Sequence, residues 1–163
     1  VWLMEHDNDI VFEPRRYYSI SEANAIVPKL EYFFGKLGSV QRHVNNICRK
    51  ANDYGINIDE DEFLDKLEKL DNPIIRHLKR RLDEHSEDYL YYLDRIESLG
   101  VVVEDADHGI VRMYSWLDDD EVYLSWQYGE MEVSFWHDVD EDYIARKPLF
   151  GKQYTPAEKY PIH

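Results

Sequence analysis

The fold is decided by residues 19–55, SISEANAIVPKLEYFFGKLGSVQRHVNNICRKANDYG. Ser19 can accept a hydrogen bond from the amide three residues on while the Glu22 carboxylate reaches back, so this capping box predicts a helix start. Apolar residues then recur at steps of three and four as far as Ala51, with Gln41 as the one polar interruption. This spacing is typical of one buried helix face. It predicts a long helix that ends within the last three residues of the stretch.

A second helix with the same period is predicted from Asn72 to Leu99. Asn72 is a good cap, Pro73 is tolerated in a first turn, and Gly100 is a typical stop. The apolar positions again follow steps of three and four, with His85 as the polar exception. Two helices of matching period joined by a short acidic segment predict an antiparallel, coiled-coil-like hairpin over residues 19–99.

The polar interruptions of the two helices are interpreted as a pair. Gln41 and His85 are expected to face each other and to set the register of the hairpin. Sustained heptads also favour self-association, so we expect a homodimer through the hairpin, with contacts at Leu78 and Leu82.

After Gly100 the pattern changes to short β-branched and apolar runs. Residues 101–105 and 110–114 are predicted to be paired strands, and Asp118 to Glu121 a turn. A second pair is predicted around a two-residue turn at Gly129-Glu130. In that register the apolar face has three facing pairs: Trp126 with Val133, Leu124 with Phe135, and Val122 with His137.

The predicted fold class is therefore α+β, with one domain at residues 19–149. It combines the helical hairpin of residues 19–99 with a small four-stranded antiparallel meander at residues 101–137. Residues 1–18 are an N-terminal segment, and residues 150–163 are expected to be an irregular tail.

Composition limits the partners. The chain has 34 acidic and 19 basic side chains and a formal charge of -15, which repels phosphate backbones and anionic lipid headgroups. We therefore expect neither nucleic acid nor a membrane as partner. Cys48 is the one cysteine, so no intramolecular disulfide can form, and no apolar run or leader is visible. These features favour the cytoplasm.

Three stretches carry a family resemblance, at residues 18–30, 100–109 and 122–148, the last including Trp136-His137-Asp138 and Arg146-Lys147-Pro148. With them the sequence resembles the domain of unknown function 2203 family, a group of uncharacterised prokaryotic proteins. The resemblance covers residues 18–149 and implies a shared fold but no activity. Family members often carry an acidic residue and a proline after the Gly109 strand, where this chain has Arg112 and Tyr114. This departure argues against an acidic catalytic group there.

A local reversal of charge indicates a candidate site. The basic pairs Arg15-Arg16 and Arg146-Lys147 flank the start of the first helix and the end of the sheet, where His137 is also expected. A helix N-terminus favours anions through its unpaired amides and its dipole. We therefore expect Arg16, His137 and Arg146 to form a small-anion site in a binding or interaction module.

The alternative is a hydrolase-type enzyme. His137 would act as general base, with Asp138 or Asp140 orienting it or holding a metal. A third reading is structural, because a half-buried histidine bonded to a carbonyl or carboxylate is common. The three readings stay open at this point.

No metal site is predicted. Two acidic stretches resemble calcium loops, but Tyr143 and Glu62 stand where the sharp turn needs glycine. The stretches are Asp138, Asp140 and Asp142, and Asn57, Asp59, Asp61 and Glu68. No phosphate loop, zinc motif or nucleophile motif is visible, so any cofactor stays unknown.

Overall fold

The computed structural model describes residues 15–55 and 72–155. Two helices precede a five-stranded antiparallel sheet, so the predicted α+β class is confirmed. The elements are α1 (Ile20–Asp53), α2 (Pro73–Glu97), β1 (Val102–Asp105), β2 (Ile110–Leu117), β3 (Asp120–Gln127), β4 (Phe135–Asp138), a 3-10 turn (Tyr143–Ala145) and β5 (Lys147–Pro148). Neither helix is long and apolar enough, within these residues, to cross a bilayer.

Both predicted helix starts are confirmed by their caps. The Ser19 hydroxyl accepts from the Glu22 amide at 3.0 Å, and the Glu22 carboxylate accepts from the Ser19 amide at 3.2 Å. The Asn72 side chain accepts from the Ile74 amide at 2.9 Å, with Pro73 at the first helical position. The acidic segment between the helices, including Asn57, Asp59, Asp61 and Glu68, lies outside the described residues.

The two helices form the predicted hairpin and bury their apolar faces in two places. Next to the sheet, residues such as Leu30, Phe34 and Ile96 join the main core. Further along, a small second core contains Ile47, Ala51, Ile75 and Leu78, with Leu82 packed against it. Leu78 and Leu82, which were expected to contact a second copy, are therefore used inside one chain.

The sheet is a meander in the strand order β1-β2-β3-β4-β5. The predicted turn after β2 is confirmed: Asp118 and Asp119 both have positive φ, and Leu117 pairs with Asp120. The predicted strand number of four is wrong by one, because Lys147 and Pro148 pair with β4. A two-residue strand that includes proline has no alternating pattern from which it can be predicted.

The predicted β3–β4 register is also wrong, by one residue. His137 pairs with Tyr123, and Asp138 pairs with Val122. The loop before β4 is longer than two residues, and its Val133 amide donates to Asn24 of α1 at 2.7 Å. A one-residue shift moves a side chain to the other face of a sheet. His137 therefore lies on the outer face, which is the face away from the helices.

Both ends of the described chain contact β2. The Tyr18 amide donates to the Tyr114 carbonyl at 2.7 Å, and Tyr18 itself is buried in the main core. At the other end, the Thr155 amide donates to the Trp116 carbonyl at 3.0 Å. Residues 15–18 thus continue the line of β1 along the sheet.

Candidate functional site

The structure does not bring Arg16, His137 and Arg146 together. The Arg16 guanidinium lies 4.4 Å from the centre of the Tyr18 ring, and its side chain covers Gly100. Arg146 donates to the two carboxylate oxygens of Glu130 at 2.9 and 3.2 Å. His137 is fully buried between other neighbours. Each of the three side chains therefore has its own set of contacts.

Alternation along residues 15–18 explains the position of Arg16. Tyr18 and Arg16 point toward the helices, whereas Tyr17 packs on Tyr114 and Trp116 of the outer face. Arg15 shares that outer direction, with its guanidinium 4.4 Å from the Tyr114 ring centre. Arg15 rather than Arg16 thus lies on the same face as His137.

A polar cluster surrounds His137 on the outer face. Its Nδ1 lies 2.9 Å from the Asp138 carbonyl oxygen, which only accepts, so Nδ1 carries the proton. Its Nε2 lies 3.9 Å from Glu104 Oε1. Arg112 donates to the same Glu104 oxygen at 3.4 Å and stacks 4.6 Å from the Tyr123 ring centre. We call Glu104, Arg112, Tyr123, Ser125 and His137 the outer-face cluster.

The centre of the outer-face cluster is buried, whereas the Arg112 and Glu104 side chains at its edge are 30% and 18% exposed. Three of its buried atoms, Arg112 Nε, Ser125 Oγ and His137 Nε2, have no hydrogen-bond partner among the described residues. Both Ser125 and His137 are 0% exposed. Burial also raises the pKa of Tyr123, with Tyr114 adding to the shift. A reacting substrate therefore has no open path to the imidazole of His137.

The acidic partners expected for an enzyme lie elsewhere. The Asp138 carboxylate accepts from Lys147 Nζ at 3.3 Å, and a hydrogen bond shared with Glu141 lowers its pKa, with Lys147 adding to the shift. Asp140 is exposed. Across residues 15–55 and 72–155, no group of three or more His, Cys, Asp or Glu side chains is placed to hold a metal ion.

An open cleft lies instead between the helical hairpin and the β1–β2 turn. Its volume is about 410 Å³. We call it the hairpin cleft, and its lining comes from α1, α2, the turn and the residue after β3: Phe34, Leu37, Gly38, Gln41, Tyr89, Ala106, Asp107, His108, Gly109 and Tyr128. Four separate parts of the chain converge here, and no sequence motif marks the site.

The turn side of the cleft is acidic and well ordered. The Asp105 carboxylate accepts from the His108 amide at 3.0 Å and lies 2.8 Å from its Nδ1. Burial raises the pKa of Tyr89, and the charges of Asp107 and Asp105 raise it further. Gly109 has a φ of 67°, and a Cβ there would lie 2.5 Å from Tyr128 Cβ. Glycine therefore lets Tyr128 close over this side of the cleft.

A second groove continues the cleft along the hairpin. Its volume is about 320 Å³, and it shares Gln41 and Tyr89 with the hairpin cleft. Gln41 and His85 both line it, as expected from their facing positions, yet each has another partner. Gln41 donates to Asn45 at 3.1 Å, and His85 stacks on His43 with ring centres 4.9 Å apart.

The fold and the cleft define a small α+β protein in which a helical hairpin and an antiparallel meander enclose a ligand-sized space. The chain belongs to the family described as uncharacterized conserved protein (DUF2203), whose family model matches residues 16–149. This confirms the resemblance seen in the sequence. The comparisons with curated proteins and with solved structures gave no match.

Proposed function

We propose that the protein is a binding module whose hairpin cleft takes a small ligand with an aromatic or aliphatic body and a positively charged N–H group. The observation that carries this proposal is the two-sided lining of the cleft. Phe34 and Leu37 form an apolar wall, and Asp107 supplies a carboxylate at the turn. Small-molecule sites typically combine a largely apolar concavity with a few placed polar groups.

Charge supports a cation rather than an anion in this cleft. Burial raises the pKa of Tyr89, and the negative charges of Asp107 and Asp105 on the same turn raise it further. The turn therefore presents negative charge to the cleft. The whole chain carries a formal charge of -15, which raises the local concentration of cations near its surface. A ligand amine placed between Asp107 and Gln41 would leave its ring against Phe34 and Tyr89.

The residues that were expected to bind an anion already have other partners, which favours a ligand site in the hairpin cleft instead. Arg146 is already bonded to Glu130, and the capping box occupies the amides of Ser19 and Glu22. The hydrolase alternative receives no support from His137, whose ring is sealed from solvent. We also propose a cytoplasmic location, since Cys48 is the one cysteine of the sequence and no intramolecular disulfide can form.

A matched ligand pair tests the proposal. Tryptamine and indole-3-acetate carry the same ring with opposite charge. Titration followed by amide chemical shifts should show tryptamine binding, with shifts confined to residues that line the hairpin cleft. Indole-3-acetate should bind at least about tenfold more weakly, because its carboxylate meets Asp107. Equal binding of the two compounds would contradict the proposed charge preference.

A matched pair of variants tests the site. Gly38 lines the cleft inside α1, and a Cβ there would make ordinary contact with Arg42. Gly38→Leu fills the cleft, whereas Gly38→Ala adds one methyl group. Both replace a helix-interior glycine and should stabilise α1 by about 0.5–1 kcal/mol. Loss of tryptamine binding in Gly38→Leu but not in Gly38→Ala is expected, and retained binding in Gly38→Leu would locate the ligand elsewhere.

A further inference from the structure

Positive charge is concentrated at the end of the hairpin where α1 ends and α2 begins. Residues 41–53 and 72–82 hold seven of the 19 Lys and Arg residues of the chain, and one of its 34 Asp and Glu residues. The remainder of the protein is correspondingly more acidic than its formal charge of -15 indicates. The excess of positive charge is therefore carried by the two helices, whereas the connecting residues 56–71, which lie outside the described part of the chain, hold two Lys and seven Asp and Glu residues.

Part of this basic surface is concave. A depression of about 630 Å³ is lined by Asn46, Arg49, Lys50, Asn52, Asp53 and Arg81. Five of these residues come from the last two turns of α1, and Arg81 comes from α2. The second core of the hairpin, which includes Ile47 and Leu78, fixes the distance between the two helices. The three cations are thus held near one another by packed secondary structure.

Two of the three cations of the depression have no partner among residues 15–55 and 72–155. Arg49 donates to the Asn46 side chain. Lys50 and Arg81 have no hydrogen-bond or ion-pair partner within the part of the chain that the structure describes. Arg76 and Lys79 of the same surface make interactions of their own and are not part of the site.

Helix electrostatics explains part of this arrangement but not all of it. Lys50 lies in the last turn of α1, where a cation stabilises the helix dipole. Arg81 lies in the middle of α2, so the dipole gives no reason for its charge to face the same space. Guanidinium groups bind phosphate oxygens through two parallel hydrogen bonds, and an ammonium binds them as a point charge.

We propose that this depression binds small compounds that carry two or more linked phosphate groups. Three cations from two helices match several negative charges, and the volume exceeds the space of one phosphate group. The Asp53 carboxylate also lines the depression, repels any anion and offsets part of this attraction. This site is separate from the hairpin cleft and from the ligand proposed for it.

Inorganic pyrophosphate is the probe, titrated by calorimetry into the full-length protein at low salt. Arg81→Gln and Lys50→Gln should each weaken binding by about tenfold, since each removes a charge-assisted contact. Arg80→Gln is the matched control, because Arg80 is the exposed neighbour of Arg81 and does not line the depression. Its affinity should stay within about twofold of wild type. Asp53→Asn should tighten binding, because the repelling carboxylate is removed.

The outcomes distinguish a specific binding site from a general attraction by surface charge. Equal losses in Arg80→Gln and Arg81→Gln would mean that pyrophosphate senses diffuse charge, and this would overturn the proposal. Absence of heat with wild type would overturn it as well. Tight binding of a single-stranded oligonucleotide without binding of pyrophosphate would replace the small ligand by nucleic acid. Gly38→Leu should leave pyrophosphate affinity unchanged, so failure at the hairpin cleft and failure here are distinguishable.

Discussion

The Nε2 atom of His137 lies 3.9 Å from Oε1 of Glu104, although the two residues belong to the fourth and first strands of the sheet. Three strand spacings separate such positions by about 14 Å in a flat sheet. The outer face is therefore concave, and its side chains meet across it. Among the described residues, Glu104 is the one carboxylate that approaches both Arg112 and His137.

Replacing Glu104, whose side chain is 18% exposed, should destabilise the fold more than replacing Glu121, whose side chain is 27% exposed and pairs with an exposed arginine. Glu104→Gln removes the charge that faces Arg112 and leaves a guanidinium in a partly buried site, at a cost of about 1–3 kcal/mol. Glu121→Gln is the control, because Glu121 pairs with Arg15, which is 52% exposed. The control should cost less than about 1 kcal/mol. Urea denaturation measures the free energy of unfolding of both variants. Equal losses would show that Glu104 contributes no more to stability than Glu121 does.

A methyl group at Gly109 should distort the hairpin cleft. Gly109→Ala places a side chain at positive φ and against Tyr128, so we expect a loss of about 2 kcal/mol or more in the free energy of unfolding. Gly151→Ala is the control, since its φ of 80° is also positive but no atom lies within 4 Å of the added Cβ. It should lose about 1 kcal/mol. Thermal melts compare the two variants, and a smaller loss at Gly109 would contradict the close approach.

Stability should depend on Asp105 at acid pH. Hydrogen bonds from the His108 amide and side chain lower the pKa of Asp105 below its ordinary value. Because the pKa is lower in the folded than in the unfolded state, the ionised Asp105 carboxylate stabilises the protein at pH values above its ordinary pKa of about 4. This stabilisation is lost as the pH falls through the lower pKa of the folded state. Asp105→Asn should therefore flatten the acid side of the stability curve and lower stability at neutral pH.

His108→Ala is the companion variant for that measurement. It keeps the backbone hydrogen bond to Asp105, which is the largest cause of the lowered pKa, and removes the side-chain bond. Its acid-side slope should fall between those of wild type and Asp105→Asn. Stability curves from pH 2 to 7 give the comparison, and a slope identical in all three proteins would remove Asp105 as the source.

Dimerisation of the hairpin stays a prediction, and the structure changes which residues should affect it. Leu78 is buried inside one chain, so Leu78→Ala should cost about 2–4 kcal/mol of monomer stability without opening a dimer contact. Leu90 is 65% exposed, and Leu90→Ala should be nearly neutral for an isolated monomer. Light scattering gives the mass, and a dimer that dissociates in Leu90→Ala would place the contact on the outer side of α2.

Local signals accounted for the parts of the fold that the sequence predicted correctly. The Ser19 capping box, the Asn72-Pro73 start and the Asp118-Asp119 turn each depend on a few adjacent residues. The hydrogen bonds of the two caps form within four residues, so the local sequence determines them. The Asp118-Asp119 turn was predictable from its residue types, although its amides donate to the distant Gln153 and Thr155. The predicted helix boundaries were correspondingly close to those of the structure, whereas β2 extends three residues beyond its predicted end.

Two kinds of feature could not be predicted in the same way. One is the face of a strand that a residue occupies, and the other is any site built from segments far apart in the sequence. The face of His137 changed because the loop around Glu130 folds back on itself, with the Trp126 indole donating to the Glu130 carbonyl at 3.0 Å. The same alternation places Arg15, rather than the predicted Arg16, on the outer face with His137. The hairpin cleft needs α1, α2 and the β1–β2 turn in their final positions, so no spacing along the chain could indicate it.

The short strand β5 has a consequence for behaviour at high concentration. Pro148 lies at the outer edge of the sheet, where it has no N–H group to offer to another strand. Edge strands with unpaired backbone groups are templates for edge-to-edge aggregation, and proline at an edge blocks that route. A proline in the last strand of the meander therefore hinders extension of the sheet by a neighbouring molecule at its β5 edge.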